Sequence, residues 1–207
     1  MARDIALAER CILAVFSPTR AVIDYLKRGK QGASKRKLIT YWNNIFLGGL
    51  LVFIAAAYLF HVRPRLNVFT WLLIWIFPVG RVNELWHAFW RDSFDQIMDT
   101  SSTETLDSLV HRLRNLIRSY LEVTINFGVL YFYLPSHMFR NPFHGIAEAL
   151  YFSAVTITTL GYGDNAPSTG FSQFWCVYEL GVGFTLIILT FGLYIAKIGS
   201  AKDPHRG

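Results

Sequence analysis

The strongest constraint on the fold is an apolar segment that is too short to cross a membrane. Residues 146–158 would form a helix about 20 Å long, whereas the hydrocarbon layer is about 30 Å thick. The segment ends in Thr158-Thr159-Leu160-Gly161-Tyr162-Gly163-Asp164, and a long apolar run, residues 171–198, follows. This order predicts a helix that enters the membrane and turns back, carrying a loop of polar backbone with it.

The loop has the residues that a cation site made of peptide oxygens requires. A dehydrated cation needs a column of oxygens, and consecutive carbonyls form one only where right- and left-handed residues alternate. Gly161 and Gly163 suit that backbone because glycine adopts positive φ at little cost. Thr159 adds a hydroxyl, Tyr162 can wedge the loop against neighbouring rings, and Asp164 attracts cations to the mouth. The alternative is an ordinary turn between two membrane helices.

Residues 118–198, and above all the Thr-Thr-Leu-Gly-Tyr-Gly-Asp pattern, resemble the pore domain of tetrameric potassium channels. The resemblance implies a homotetramer, in which this chain assembles with three further identical subunits, with K⁺ as the permeant ion and no organic cofactor. The implied selectivity filter consists of Thr159, Leu160, Gly161, Tyr162 and Gly163, with K⁺ bound at the first four. Leu160 stands where valine is more common.

The resemblance also indicates which residues support the filter: Thr158, Asp164, Tyr151, Phe152, Val155 and Glu179. Tyr151 and Phe152 occupy the positions of an aromatic cuff, and only Tyr151 has a hydroxyl that could bond towards Asp164. Val155 replaces a glutamate that some members pair with this aspartate.

The last span carries a carboxylate and two glycines of interest. Glu179 lies at the level of the pore helix, where it either accepts hydrogen bonds from hydroxyls such as Ser153 or Thr156 or has no consequence. Gly183 matches the family's hinge position and Gly181 lies close to it, although small residues also simply allow close packing. The residues expected to face the cavity and its cytoplasmic gate are Phe184, Ile187, Phe191 and Tyr194.

The composition agrees with a membrane protein rather than a soluble domain. Of the 207 residues, 53% are hydrophobic and 16% are charged. The net charge of +6 comes from basic residues beside apolar runs, which indicates anionic lipids at the inner leaflet and no nucleic acid. No spacing typical of a metal site or a catalytic set occurs.

Apolar runs and charge divide the chain into five parts. They are N-terminal cytoplasmic or interfacial helices (1–37), a two-helix membrane hairpin (38–91), an amphipathic helix similar to a slide helix (92–118), the pore domain (119–198) and a cytoplasmic tail (199–207). The expected membrane is a plasma or inner membrane, and four crossings place both termini on its cytoplasmic side.

Pro78 is expected to kink the second span. Charged residues follow it on the C-terminal side. Arg81, Glu84, His87 and Arg91 recur on one helical face. A paired network at the cytoplasmic end is favoured over an intramembrane functional site. Glu122 of the third span is expected to snorkel or to pair with a basic neighbour.

The sequence therefore predicts an all-α membrane protein that is tetrameric around a central pore. Each subunit has four transmembrane helices plus a re-entrant pore helix and filter loop. The predicted function is passive, potassium-selective conduction. A weakly selective cation channel and a non-conducting membrane adaptor that retains the pore fold are the alternatives.

Overall fold

The computed structural model describes residues 15–27, 29, 32–60, 67–98 and 106–202, and these residues are almost entirely helical. The helices are α1 (Pro18–Lys27), α2 (Gly32–Leu59), α3 (Val68–Met98), α4 (Leu106–Tyr133), α5 (Ile146–Ile157) and α6, which comprises Gly170–Phe184, Thr185–Phe191 and Gly192–Lys202. Within the described residues the β pairing is one isolated bridge between Phe139 and Pro167. The all-helical prediction is confirmed.

Three of the described helices are long and apolar enough to cross a membrane: Lys37–Leu59, Val68–Met98 and Gly170–Gly199. Helix α5, with 12 residues, is shorter than a membrane is thick. Helix α4 has 28 residues, but its first half is polar. A fourth crossing by α4 therefore stays a prediction.

Helix α4 extends without a break through two of the predicted parts of the chain. The slide-like helix was expected to end at residue 118 and the outer pore helix to begin at 119, yet α4 runs unbroken from Leu106 to Tyr133. No glycine or proline occurs between Leu106 and Phe127, so nothing in the sequence interrupts the helix. Helix α3 likewise continues past residue 91, to Met98, and the division of the chain into five parts stays a prediction.

The chain packs α5 directly onto α4. A Cβ on Gly128 would lie 2.6 Å from Cδ2 and 2.9 Å from Cα of Leu150, so only glycine permits this approach of the two backbones. Helix α6 reaches α5 in the same way, since a Cβ on Gly183 would lie 2.7 Å from Cγ1 of Ile157. The short helix is thus fixed between its two longer neighbours.

The start of helix α1 docks on α3 of the same chain. The hydroxyls of Ser17 and Thr19 donate to the carbonyl of Gly80 at 2.8 and 3.0 Å. A Cβ on Gly80 would lie 3.1 Å from Cδ of Pro18. The helix expected within residues 2–16 falls almost wholly outside the described residues.

Two helices contain a π-helical turn. In α3 the turn spans Trp75–Val79 and includes Pro78, where the sequence predicted a kink. The turn in α6, Thr185–Phe191, was not foreseen. Side chains of α3 bond to the hydroxyls of this second turn, with Trp86 donating to Thr185 at 3.0 Å and Ser93 lying 2.9 Å from Thr190.

Candidate functional site

The loop after α5 has a left-handed residue at every second position. The φ angles are 58° at Thr159, 56° at Gly161 and 78° at Gly163. The alternation was predicted for the two glycines, whereas Thr159 is the one non-glycine residue with positive φ in the described part of the chain. When left- and right-handed residues alternate, successive carbonyl groups point to the same side of the chain. The loop can therefore present a row of carbonyl oxygens.

The end of α5 holds the start of this loop. The backbone N–H of Thr159 donates to the carbonyl of Thr156 at 2.9 Å, and that of Leu160 donates to Val155 at 3.0 Å. The C-terminal end of a helix carries a partial negative charge. The loop therefore begins where the electrostatic field of α5 favours a cation.

Residues 158–164 are exposed in the single chain. The exposed fractions of Leu160 and Tyr162 are 56% and 66%, which is high for an apolar and an aromatic side chain at the centre of the pore domain. One chain alone leaves this loop uncovered.

Tyr151 lies against the loop, and its support of a filter stays a prediction. Its ring stacks on that of Tyr162 with centroids 6.4 Å apart. The sequence reasoning missed another contact with the loop, in which Asn141 donates to the Asp164 carbonyl at 2.7 Å and Asn165 donates to the Asn141 carbonyl at 2.9 Å. The pairing joins residues far apart in sequence, and no local pattern signals it.

Phe152 is placed differently from its predicted role in a cuff behind the filter. Its buried ring packs against Tyr131, Phe139 and Phe143, with centroid distances of 5.1, 5.4 and 5.6 Å. It therefore anchors α5 to α4 and the following loop. Val155 is also buried and brings no side-chain acceptor to Asp164.

Glu179 lies fully buried behind α5 and accepts two hydrogen bonds. One comes from Ser153, as predicted, and the other from Tyr131 at 2.6 Å, which the sequence reasoning missed. Ser153 lies on α5 and Tyr131 on α4, so this carboxylate of α6 joins all three helices of the pore domain. The hydroxyl of a tyrosine inside an apolar helix is the signal that could have indicated Tyr131.

The predicted cavity residues of α6 divide into two groups. Phe184, Ile187 and Phe191 are exposed in the single chain, at 51%, 43% and 36%. Tyr194, by contrast, is 1% exposed, and its hydroxyl donates to Asp92 of α3. Tyr194 is therefore corrected from a cavity residue to a contact between α6 and α3.

The two glycines of α6 have different surroundings. Gly183 is in close contact with Ile157, which supports the packing interpretation, whereas a Cβ on Gly181 would meet no described atom within 4 Å. The break in regular helix follows them, at Thr185–Phe191.

Arg81 is the centre of a buried charge network between α2, α3 and α4. It donates to Glu122 at 2.6 Å and to Asn43 at 2.8 Å, and lies 3.0 Å from Glu84. The predicted pairing is thus present for Arg81, Glu84 and Glu122. Arg91 belongs to the exposed surface instead, 3.9 Å from Asp95.

Comparisons with known proteins identify the region that carries this loop. A family model described as an ion channel matches residues 119–199. Two-pore potassium channel 3 of Arabidopsis thaliana is 32% identical over 116 residues, which are 56% of this chain and 26% of that protein. Two pore potassium channel c of Oryza sativa subsp. japonica is 36% identical over 76 residues, 35% of this chain and 16% of that protein. No solved structure matches the chain.

Proposed function

Because the chain belongs to the potassium channel family, through its ion channel domain at residues 119–199, we propose that it conducts K⁺ passively and selectively across a membrane. The family is one of ion channels, and the long apolar helices agree with an integral membrane protein. The chain spans only 26% and 16% of the two relatives' lengths, so conduction by this chain is our inference.

The observation that carries the proposal is the alternation of left-handed residues at Thr159, Gly161 and Gly163. In this proposal the carbonyls of residues 159–163 replace the water around K⁺, and ions bind at Thr159, Leu160, Gly161 and Tyr162. Thr158, Asp164, Tyr151, Val155 and Glu179 support the loop, and Phe152 acts through the packing of α5.

The pore requires more than one subunit, because one chain supplies one loop and leaves it exposed. We place four identical chains around a central axis, with each loop forming a quarter of the ring. Exposed Phe184, Ile187 and Phe191 then face the cavity or a neighbouring subunit. Cross-linking in mild detergent is expected to yield a tetramer, and a largest species of two chains would contradict this arrangement.

In the proposed topology α2, α3, α4 and α6 cross the membrane, and α5 re-enters it. An even number of crossings places both termini on one side. The basic residues before α2 assign that side to the cytoplasm and to anionic lipids.

The function is tested by K⁺ efflux from vesicles that contain the full chain. Gly161→Ala should abolish efflux, because alanine at φ 56° costs about 1–2 kcal/mol and disturbs the row of carbonyls. The matched control is Gly145→Ala just before α5, where φ is −164° and a Cβ meets no described atom within 4 Å. Efflux from the wild type and this control, but not from Gly161→Ala, supports the proposal.

Reversal potentials in K⁺ and Na⁺ mixtures test selectivity separately. A potential that follows the K⁺ gradient is expected. Equal permeation of both ions would establish the weakly selective channel instead, and absence of flux from a folded tetramer would favour the membrane adaptor.

A further inference from the structure

A cavity of about 540 Å³ lies outside the pore domain's core, between α2, α3 and α4. Its volume falls within the range of about 300–1,000 Å³ that ligand pockets occupy. Its walls are formed almost wholly by apolar side chains, among them Phe46, Leu50, Phe53, Leu73, Ile74 and Val129.

The cavity is elongated along the helices. Its lining runs from Trp42 to Phe53 on α2, from Thr70 to Arg81 on α3 and from Glu122 to Tyr133 on α4. Each of these stretches is about 16 Å long at 1.5 Å per residue. One leaflet of a hydrocarbon layer about 30 Å thick has nearly the same depth, so the cavity matches the length of one layer of lipid tails.

The cavity opens sideways from the bundle. Ile45 and Gly49 on α2 and Phe77 on α3 line it and are exposed. In a membrane these residues face hydrocarbon. Because nearly all of its wall is apolar, the cavity favours an apolar molecule over water along most of its length.

The polar groups at one end of the cavity, Arg81 and Glu122, favour an acyl tail over a charged lipid headgroup. Arg81 is shared between the carboxylates of Glu122 and Glu84, so two formal negative charges surround one positive charge. An additional anion there would meet net negative charge, whereas a hydrocarbon chain makes no demand on these groups.

From this position, length and polarity, we propose that the cavity is a binding site for the acyl chain of a membrane lipid. The chain lies between α2 and the α3–α4 pair, in contact with Phe77 and Pro78 of the π-helical turn. The site is independent of the filter and goes beyond ion conduction.

Two neighbouring glycines provide matched variants. Gly49 lines the cavity, whereas Gly48 does not, and a Cβ on either would meet no described atom within 4 Å. Gly49→Phe therefore fills the cavity, and Gly48→Phe places the same ring outside it. Gly49→Leu serves as a smaller second variant. Replacing a helical glycine favours the helix, so the chain is expected to fold.

The experiment uses the full chain in phosphatidylcholine vesicles that contain phosphatidylcholine with a photoreactive diazirine in the middle of one acyl chain. The protein is extracted into detergent, irradiated, and mapped for adducts by peptide mass spectrometry. Adducts on Phe46, Phe77 and Val129 should survive extraction, while those on lipid-exposed Leu51 and Val52 should fall with dilution of bulk lipid. The surviving adducts should be lost in Gly49→Phe and kept in Gly48→Phe.

Two results would overturn the proposal. One is a parallel fall of the cavity and surface adducts on extraction, and the other is cavity labelling that Gly49→Phe and Gly49→Leu leave unchanged. A photoreactive phosphatidylglycerol is expected to label no more strongly than phosphatidylcholine, and stronger labelling would show that a headgroup and not the tail directs binding. The readout needs no conduction, so its failure is distinct from failure of the channel proposal.

Discussion

Replacing Arg81 by methionine should be among the most destabilising single changes in the membrane hairpin. The exposed fractions of the Arg81 and Glu122 side chains are 1% and 2%, and that of Glu84 is 11%. Methionine fills much of the volume but leaves two buried carboxylates without their cation. It also removes the donor to Asn43 and the contact of the guanidinium with the Phe46 ring, 5.1 Å from its centroid.

The magnitude is set by the cost of an uncompensated buried charge. Removing one partner of a buried ion pair costs about 3–5 kcal/mol, mainly because the remaining charge stays desolvated. For a chain of this size the loss corresponds to a fall of about 6–20 °C in the midpoint of thermal unfolding. Tryptophan fluorescence during heating in lipid–detergent micelles measures the midpoint.

A matched control is available on the same helix. Arg91 and Asp95 are 71% and 73% exposed and 3.9 Å apart, so Arg91→Met should cost about 0–1 kcal/mol. Adding Glu122→Leu to Arg81→Met should restore part of the loss, because it removes one of the unpaired carboxylates. Equal midpoints for Arg81→Met and Arg91→Met, or a further fall on adding Glu122→Leu, would refute the reasoning.

Two further predictions concern the pore domain. Gly183→Ala should lower the unfolding midpoint and reduce K⁺ flux, because its Cβ would collide with Ile157. Gly181→Ala places its Cβ in open space and should change neither quantity. Equal effects of the two variants would count against close packing at Gly183. Glu179→Gln and Tyr131→Phe should be non-additive in stability by about 0.5–3 kcal/mol, since the two side chains share a buried hydrogen bond; a double variant equal to the sum of the single variants would disprove this coupling.

The sequence alone was enough to predict the backbone conformation at positions where one residue type determines it. Gly161 and Gly163 indicated left-handed positions, and Pro78 indicated the irregular turn of α3, because the cause lies in the residue itself. The contact of Glu179 with Ser153 could be predicted because a buried carboxylate must find a donor and the pore helix was the nearest element.

The sequence was insufficient where the orientation of a helix depends on distant contacts. All four residues Phe184, Ile187, Phe191 and Tyr194 were expected to face the cavity or its gate. The π-helical turn of α6 adds a residue between the first and the last of them, which rotates the C-terminal part of the helix by about 100°. Tyr194 consequently turns towards Asp92 of α3. No proline marks this turn, and the side chains that bond to its hydroxyls, Trp86 and Ser93, lie on another helix.

The continuity of α4 has a mechanical consequence for any stimulus at the inner face of the membrane. The basic first half of α4 and the glycine that touches α5 belong to one unbroken rod. Because the helix has no break, a tilt applied at one end also moves the other end. A torque applied to its charged end is therefore transmitted to the short helix that precedes the proposed filter loop.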